Sequence, residues 1–332
     1  MPDGAQPVLD VQDLVTVFHS DAGELHAVNS LSFALRPGEV LGVVGESGAG
    51  KSVAMMSLVG LLDQPPAEIR GGRAVFEGAD LLAMPEAGLR RIRGARIGFV
   101  FQDPMTSLNP VLTIGHQIRE PLRRHLGLGR SEARARAAQL LSLVHLPAHH
   151  LDDYPHQLSG GMRQRVMIAI ALACEPALLI ADEPTTALDV TIQAEIIALV
   201  KELRGRREMA ILWVTHDLAV LAGLAERVLV IYAGQIVEQA PVRELFATPQ
   251  QPYTRALLAA APSLRHPRPG RLRAIPGQPP ILTKAPSDCP FRPRCPHAMP
   301  VCAARVPPRF GAGPGRDVAC FWDARTGGPR DV

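Results

Sequence analysis

Apolar and polar positions change rhythm several times along the 332 residues of this chain. Residues 8–18 alternate, the period-2 pattern of a strand with one covered face. Residues 31–35 read as another strand and end at the turn Arg36-Pro37-Gly38. Residues 40–44, VLGVV, are instead a continuous apolar run bounded by glycines, the pattern of a strand buried on both faces. A glycine-rich stretch follows, and then helical spacing over residues 51–62. Further along, residues 97–101, 178–181, 211–215 and 228–232 read as short strands. Residues 113–146, rich in Leu, Arg, Ala and Gln, and residues 190–204 read as helical. This order predicts an α/β protein with a mixed sheet interrupted by a helical insertion.

Near residue 250 the composition shifts. Residues 265–332 hold 14 of the 31 prolines and set 12 Lys/Arg against 4 Asp/Glu. Proline at that density opposes long helices and central strands, so the tail is expected to need a staple or a partner surface. Four of the five cysteines, Cys289, Cys295, Cys302 and Cys320, fall in this tail. In a reducing compartment such clustering favours metal over disulfides. A net charge of +3 and 4% aromatic residues give no electrostatic or stacking platform for nucleic acid. The longest apolar stretches, 53–62 and 166–174, fall short of the roughly 18–20 residues of a membrane-spanning helix. The first 30 residues show no basic segment followed by an apolar run. A cytosolic protein is expected, with any membrane role exercised through partners.

Three segments carry chemistry. Gly45-Glu46-Ser47-Gly48-Ala49-Gly50-Lys51-Ser52 fits G-x-x-x-x-G-K-S between a predicted strand and a predicted helix. Glycines let the backbone wrap closely around phosphate oxygens, and the N–H groups at the helix start point at the anion. Lys51 should reach the β- and γ-phosphates, and the Ser52 hydroxyl should ligate Mg²⁺. The apolar run 178–181 ends in Asp182 and Glu183, at the strand end where ligands gather in α/β sheets. Asp182 suits Mg²⁺ and Glu183 suits a general base for the attacking water. Leu158-Ser159-Gly160-Gly161-Met162 opens a second glycine-rich helix start, read either as an anion site or as an ordinary helix capped by Ser159.

Leu-Ser-Gly-Gly-x-x-x-Arg, about 23 residues before the acid pair, resembles the signature motif of ABC-transporter ATPases. Other motifs of that family stand in order. Gln102 resembles its Q-loop, and Ala187-Leu188-Asp189 its D-loop. His216 resembles its switch histidine, and Phe18 the aromatic that stacks on adenine. The resemblance covers about residues 8–250. It implies a P-loop ATPase domain over residues 1–250, with a helical insertion at about 103–170 that docks on membrane subunits. It also implies head-to-tail pairing of two ATPase domains. Ser159, Gly160, Gly161 and Met162 would then serve the partner's ATP. Gln102 would join Ser52 and Asp182 around Mg²⁺.

Gln102-Asp103-Pro104-Met105-Thr106-Ser107-Leu108-Asn109-Pro110 resembles the peptide and nickel branch of importer ATPases. So do Gln251-Pro252-Tyr253-Thr254-Arg255-Ala256-Leu257-Leu258 and Ala274-Ile275-Pro276-Gly277-Gln278-Pro279-Pro280. Residues 251–332 would be that branch's C-terminal extension. The likeness implies two membrane permease subunits, an extracytoplasmic substrate-binding protein, a second and paralogous ATPase subunit, and a peripheral position on the cytoplasmic face of the membrane. Cys289-Pro290-Phe291-Arg292-Pro293-Arg294-Cys295 matches a motif of the same branch. The spacing C-x5-C-x6-C-x17-C contains no C-x2-C pair, which disfavours a zinc ribbon. Four thiolates on proline-rich chain can hold a [4Fe–4S] cluster, with zinc and free thiols as alternatives. His297 is a possible substitute ligand or a solvated loop residue. A nickel or other small-solute importer and a soluble ABC ATPase are the rival functions. A single phosphate loop and no sustained heptads weigh against the second.

Overall fold

The computed structural model describes residues 6–21, 23–186, 188–205, 208–261 and 274–330. In chain order, strands β1 (Leu9–Ser20), β2 (Gly23–Leu35) and β3 (Val40–Val44) lead to helix α1 (Lys51–Leu58). Strands β4 (Ala67–Phe76) and β5 (Ala79–Asp80) follow. Next come α2 (Glu86–Ile92), β6 (Ile97–Val100) and the helices α3 (Pro104–Ser107), α4 (Ile114–Leu126), α5 (Arg130–Leu143) and α6 (Gly160–Ala171). Then β7 (Leu178–Asp182), α7 (Val190–Gly205), β8 (Ala210–Thr215) and α8 (Leu218–Leu224) precede β9 (Arg227–Tyr232) and β10 (Gln235–Pro241). The last elements are α9 (Val242–Ala247), α10 (Pro252–Ala260), α11 (Val301–Ala304), β11 (Arg309–Gly313), β12 (Arg316–Ala319), β13 (Trp322–Asp323) and β14 (Gly328–Pro329).

The chain divides into two compact units. One comprises Met1–Val8, Leu35–Glu39 and Ala83–Val214, the other Leu9–Ala34, Val40–Leu82 and Thr215–Val332. In the first unit β6, β7 and β8 run parallel, with Ile97 opposite Leu178 and Leu178 opposite Ala210. All five residues of β7 and all six of β8 are buried, as expected of strands covered on both faces. Helix α6 packs on β6 so closely that a Cβ at Gly98 would lie 2.4 Å from the Ala171 carbonyl oxygen. The single helical stretch expected at 113–146 is two helices. Gly127, left-handed at φ 67°, ends α4, whose start is capped by Thr113 accepting from the His116 N–H.

In the second unit, β2, β1, β4 and β5 form one sheet in that order. Strand β3 pairs parallel with β9. Beyond β9, β10, β12 and β11 continue antiparallel. The sequence pattern misses β4, because Gly71-Gly72 interrupts its alternation and Gly72 sits at φ 105°. It also misses most of the tail. Residues 309–319 do form strands, with Pro314 confined to the turn between β11 and β12, where proline costs no ladder hydrogen bond. The tail packs Val318, Cys320 and Trp322 into a small apolar cluster. It is tied down by buried Arg316, which pairs with fully buried Glu238 at 3.2 Å. The same carboxylate accepts from the N–H groups of Gln250 and Gln251. Among the described residues no helix is long and apolar enough to cross a membrane.

Candidate active site

In the second unit the phosphate loop runs from the end of β3 into α1. Gly50 is the N-cap of α1 in the left-handed region at φ 94°, and it brings no side-chain acceptor to the first turn. A Cβ at Gly50 would meet the Ala27 carbonyl oxygen at 2.2 Å, and one at Gly45 would meet that of Ile231 at 2.3 Å. Gly48 is left-handed at φ 78°, and the Ala49 N–H closes a turn onto Glu46 O at 3.2 Å. Ser47 is exposed and Ser52 half-buried. Lys51 is 4% exposed, and its Nζ donates to the carbonyls of Gly45 and Glu46 at 2.9 and 3.1 Å. A cation is thereby held over a left-handed backbone concavity at a helix start, an arrangement that receives phosphate.

Two side chains that the sequence did not single out hold this loop. The Tyr253 hydroxyl accepts from the Glu46 N–H at 2.8 Å, and Arg294 grips the Glu46 carboxylate with two bonds of 2.7 and 2.9 Å. Burial pushes the Tyr253 phenol up, and the Glu46 carboxylate raises Arg294 further. No periodicity or motif could have shown a pair 248 residues apart in sequence. Phe18 lies within β1, half-buried and in register with Ala67. His216 follows Thr215 at the end of β8 and is exposed. Asp217 beside it caps α8 by accepting from the Ala219 N–H.

In the first unit Asp182 ends β7 and is 5% exposed. Glu183 follows at φ 46°, a left-handed conformation unusual for a side chain of its size. Its backbone N–H donates to Val214 O at 2.9 Å. Its carboxylate accepts from Thr186 Oγ1 at 2.9 Å and from Gln102 Nε2 at 3.4 Å. Gln102 and Glu183 are therefore brought together, 81 residues apart in sequence. The sharp turn and the two donors fix where this carboxylate stands, which a general base requires.

Ser159 is the N-cap of α6, and its hydroxyl accepts from the Met162 N–H at 3.3 Å. The capping half of the two sequence readings is thus realised. Gly160 is exposed, and among the described residues outside its own helix the nearest atom to a Cβ placed there is in Leu188 at 3.8 Å. Gly161 is crowded by Ile192 at 2.7 Å. Asp189 accepts from the N–H groups of Thr191 and Ile192 at 3.0 Å each and so caps α7. Ala187 lies outside the described residues.

The four tail cysteines gather in the second unit. The Cys289 N–H donates to Cys302 O at 3.0 Å. Burial pushes the Cys289 thiol up to about 11 and Cys320 to about 12. The neighbouring cysteines add to the rise at both, and Cys295 is also raised by burial. Among the described residues no group of three or more His, Cys, Asp or Glu is placed to hold a metal ion. His297 lies exposed in a turn, as the loop reading expects, and stacks face to face on Trp322 with ring centroids 3.9 Å apart.

A family pattern described as ABC transporter matches residues 28–186. Another, described as Oligopeptide/dipeptide transporter, C-terminal region, matches residues 237–302. The chain is 49% identical over 319 residues to the "Probable peptide ABC transporter ATP-binding protein y4tR" of Sinorhizobium fredii. That match covers 96% of this chain and 95% of that protein. The chain belongs to the ABC transporter ATP-binding proteins. It is also 48% identical over 322 residues to the "Oligopeptide transport ATP-binding protein OppD" of Salmonella typhimurium, covering 96% and 95%. Among solved structures it resembles the ATP-binding cassette MJ0796, described as a dimeric post-hydrolysis state bound to ADP and Pi. The TM-score is 0.64 and the identity 28%, over 71% of this chain and 99% of that one. This ABC ATPase therefore has the P-loop α/β fold of its family and hydrolyses ATP.

Proposed function

We propose that this ABC ATPase powers the import of di- and oligopeptides. The observation that carries the substrate class is the match of residues 237–302 to the oligopeptide/dipeptide transporter C-terminal region. Relatives sharing about half its residues over nearly the whole chain are named for peptide transport. The proposed partners are two membrane permease subunits, a paralogous second ATPase subunit and, through the permeases, an extracytoplasmic binding protein. The chain then sits on the cytoplasmic face of the membrane. In this reading residues 1–250 form the ATPase domain, with its permease-docking insertion at about 103–170. Residues 251–332 form the extension.

At the nucleotide, Lys51 and the loop N–H groups of residues 45–52 bind the β- and γ-phosphates. Phe18 stacks on the adenine. Ser52, Gln102 and Asp182 would hold Mg²⁺, which would neutralise developing phosphate charge. Glu183 takes a proton from the attacking water, and His216 holds that water and the γ-phosphate. The fixed carboxylate of Glu183, with its bonds to Gln102 and Thr186, supports the base assignment. Ser159, Gly160, Gly161, Met162 and Asp189 face the nucleotide of the second chain. The open surface at Gly160 and the dimeric state of the solved relative support that pairing. Glu183→Gln is expected to keep ATP binding and lose at least about 100-fold in turnover, the scale of general-base catalysis. Wild-type turnover in that variant would refute the assignment.

The four cysteines are assigned to a [4Fe–4S] cluster that fastens the extension, with zinc as the alternative. What supports it is donor chemistry alone, four thiols in one unit with the Cys289 N–H bonded to Cys302 O; among the described residues no three of them are placed around one ion. Protein purified without oxygen should contain iron and acid-labile sulfide. Stoichiometric zinc without iron would contradict the cluster.

A further inference from the structure

Glu46 is an anomaly in a loop built to bind a polyanion. Its main-chain carbonyl accepts from the Lys51 amine, so its side chain adds a negative charge to the residue that holds the lysine, and uncompensated that charge would repel a triphosphate. The chain compensates it from far away. Arg294 places its guanidinium fork on both oxygens, at 2.7 and 2.9 Å. The Arg294 side chain is only 5% exposed, so the pair is poorly screened. Two further donors are committed. Nε bonds Pro276 O at 2.8 Å, and Nη1 bonds the Tyr232 hydroxyl at 3.3 Å.

An aromatic nest fixes the arginine's place. Tyr232, Tyr253 and Phe291 pack ring on ring at centroid distances of 4.6, 5.2 and 5.4 Å, and the Arg294 guanidinium lies 5.8 Å from the Tyr232 ring. Tyr253, from the first turn of α10, also accepts the Glu46 N–H and so orients that peptide. Phe291 and Arg294 belong to the segment between Cys289 and Cys295. All of these groups lie in the second unit.

We propose that Arg294, supported by Tyr253, is a positioning residue for nucleotide binding: the cysteine-rich extension neutralises and orients Glu46 and thereby sets the ATP affinity of the phosphate loop. Arg294 touches no nucleotide itself and acts through Glu46. The proposal rests on the phosphate-loop assignment above. It differs from a mere tether, which would hold the tail in place and leave affinity alone.

A double-mutant cycle separates the two, with a fluorescent ATP analogue titrated into the full-length chain and melting followed on the same samples. Arg294→Met should weaken binding by about tenfold, the scale of losing one charge-assisted partner beside the anion. The double variant Glu46→Gln/Arg294→Met should bind as well as Glu46→Gln alone, because the repelling carboxylate is gone. Unchanged affinity in a folded Arg294→Met chain, or equal weakening in the single and double variants, overturns the proposal. If Arg294→Met does not fold, Arg294→Lys takes its place. It keeps the charge but loses the fork. It should lose affinity and regain it with Glu46→Gln, and failure of that recovery likewise overturns the proposal. Lys51→Ala is the control for the assignment beneath: if it binds the analogue normally, the phosphate-loop reading itself fails, whatever Arg294 does.

Discussion

Two glycine-rich helix starts in this chain look alike in sequence and differ in what their glycines answer to. At the phosphate loop, Gly45 and Gly50 are demanded by the chain itself. A Cβ at either would run into a carbonyl oxygen within 2.3 Å, and Gly50 is left-handed besides. At the start of α6, a Cβ at exposed Gly160 would meet nothing closer than 3.8 Å among the described residues outside its own helix. The caps differ as well. Gly50 offers α1 no side-chain acceptor, whereas Ser159 already caps α6 on the Met162 N–H. One start is shaped by its own fold to enclose a phosphate. The other is satisfied within its chain and keeps clearance that its own fold does not use, which is what a surface facing a second chain's nucleotide requires.

The contrast can be broken at either end. The largest effect is expected from Gly50→Ala. It combines a left-handed residue with a backbone clash and should cost about 3 kcal/mol of stability along with ATP binding. A thermal melt near that of wild type would show that the loop is not locked from within. Gly160→Ala should do the opposite. Its melting should stay within about 0.5 kcal/mol of wild type, as for an exposed site, while turnover of the assembled pair falls about tenfold or more. Unchanged turnover would remove the case for a facing chain at this residue. Ser159→Ala is the smallest, with about 1 kcal/mol lost from the α6 cap. A much larger loss of turnover than of stability there would show that the hydroxyl serves more than its own helix.

Much of this was legible in the sequence because it is contiguous. The runs that become β3 and β7 are apolar throughout, since both faces of each strand are covered. The residues 45–52, 159–162 and 182–183 each sit in one short stretch whose chemistry is local. What was hidden is what long-range packing decides. Strand β4 is broken in pattern by Gly71-Gly72 and is rescued by its pairing with β1. The tail strands β11 and β12 exist because β10 offers them an edge, against the local proline content. The grip of Arg294 on Glu46 joins two distant segments that carry no shared pattern. The bond between Gln102 and Glu183 is intermediate. Both residues were picked out by motif, and only folding shows that one donates to the other.

The proposed head-to-tail pairing makes this ATPase half of a shared site. The most direct test is ATP turnover per chain across a dilution series of the assembled ATPase pair, with association followed by light scattering in the same samples. Turnover per chain should fall in step as the pair dissociates. Turnover that stays constant in samples shown to be monomeric would contradict it.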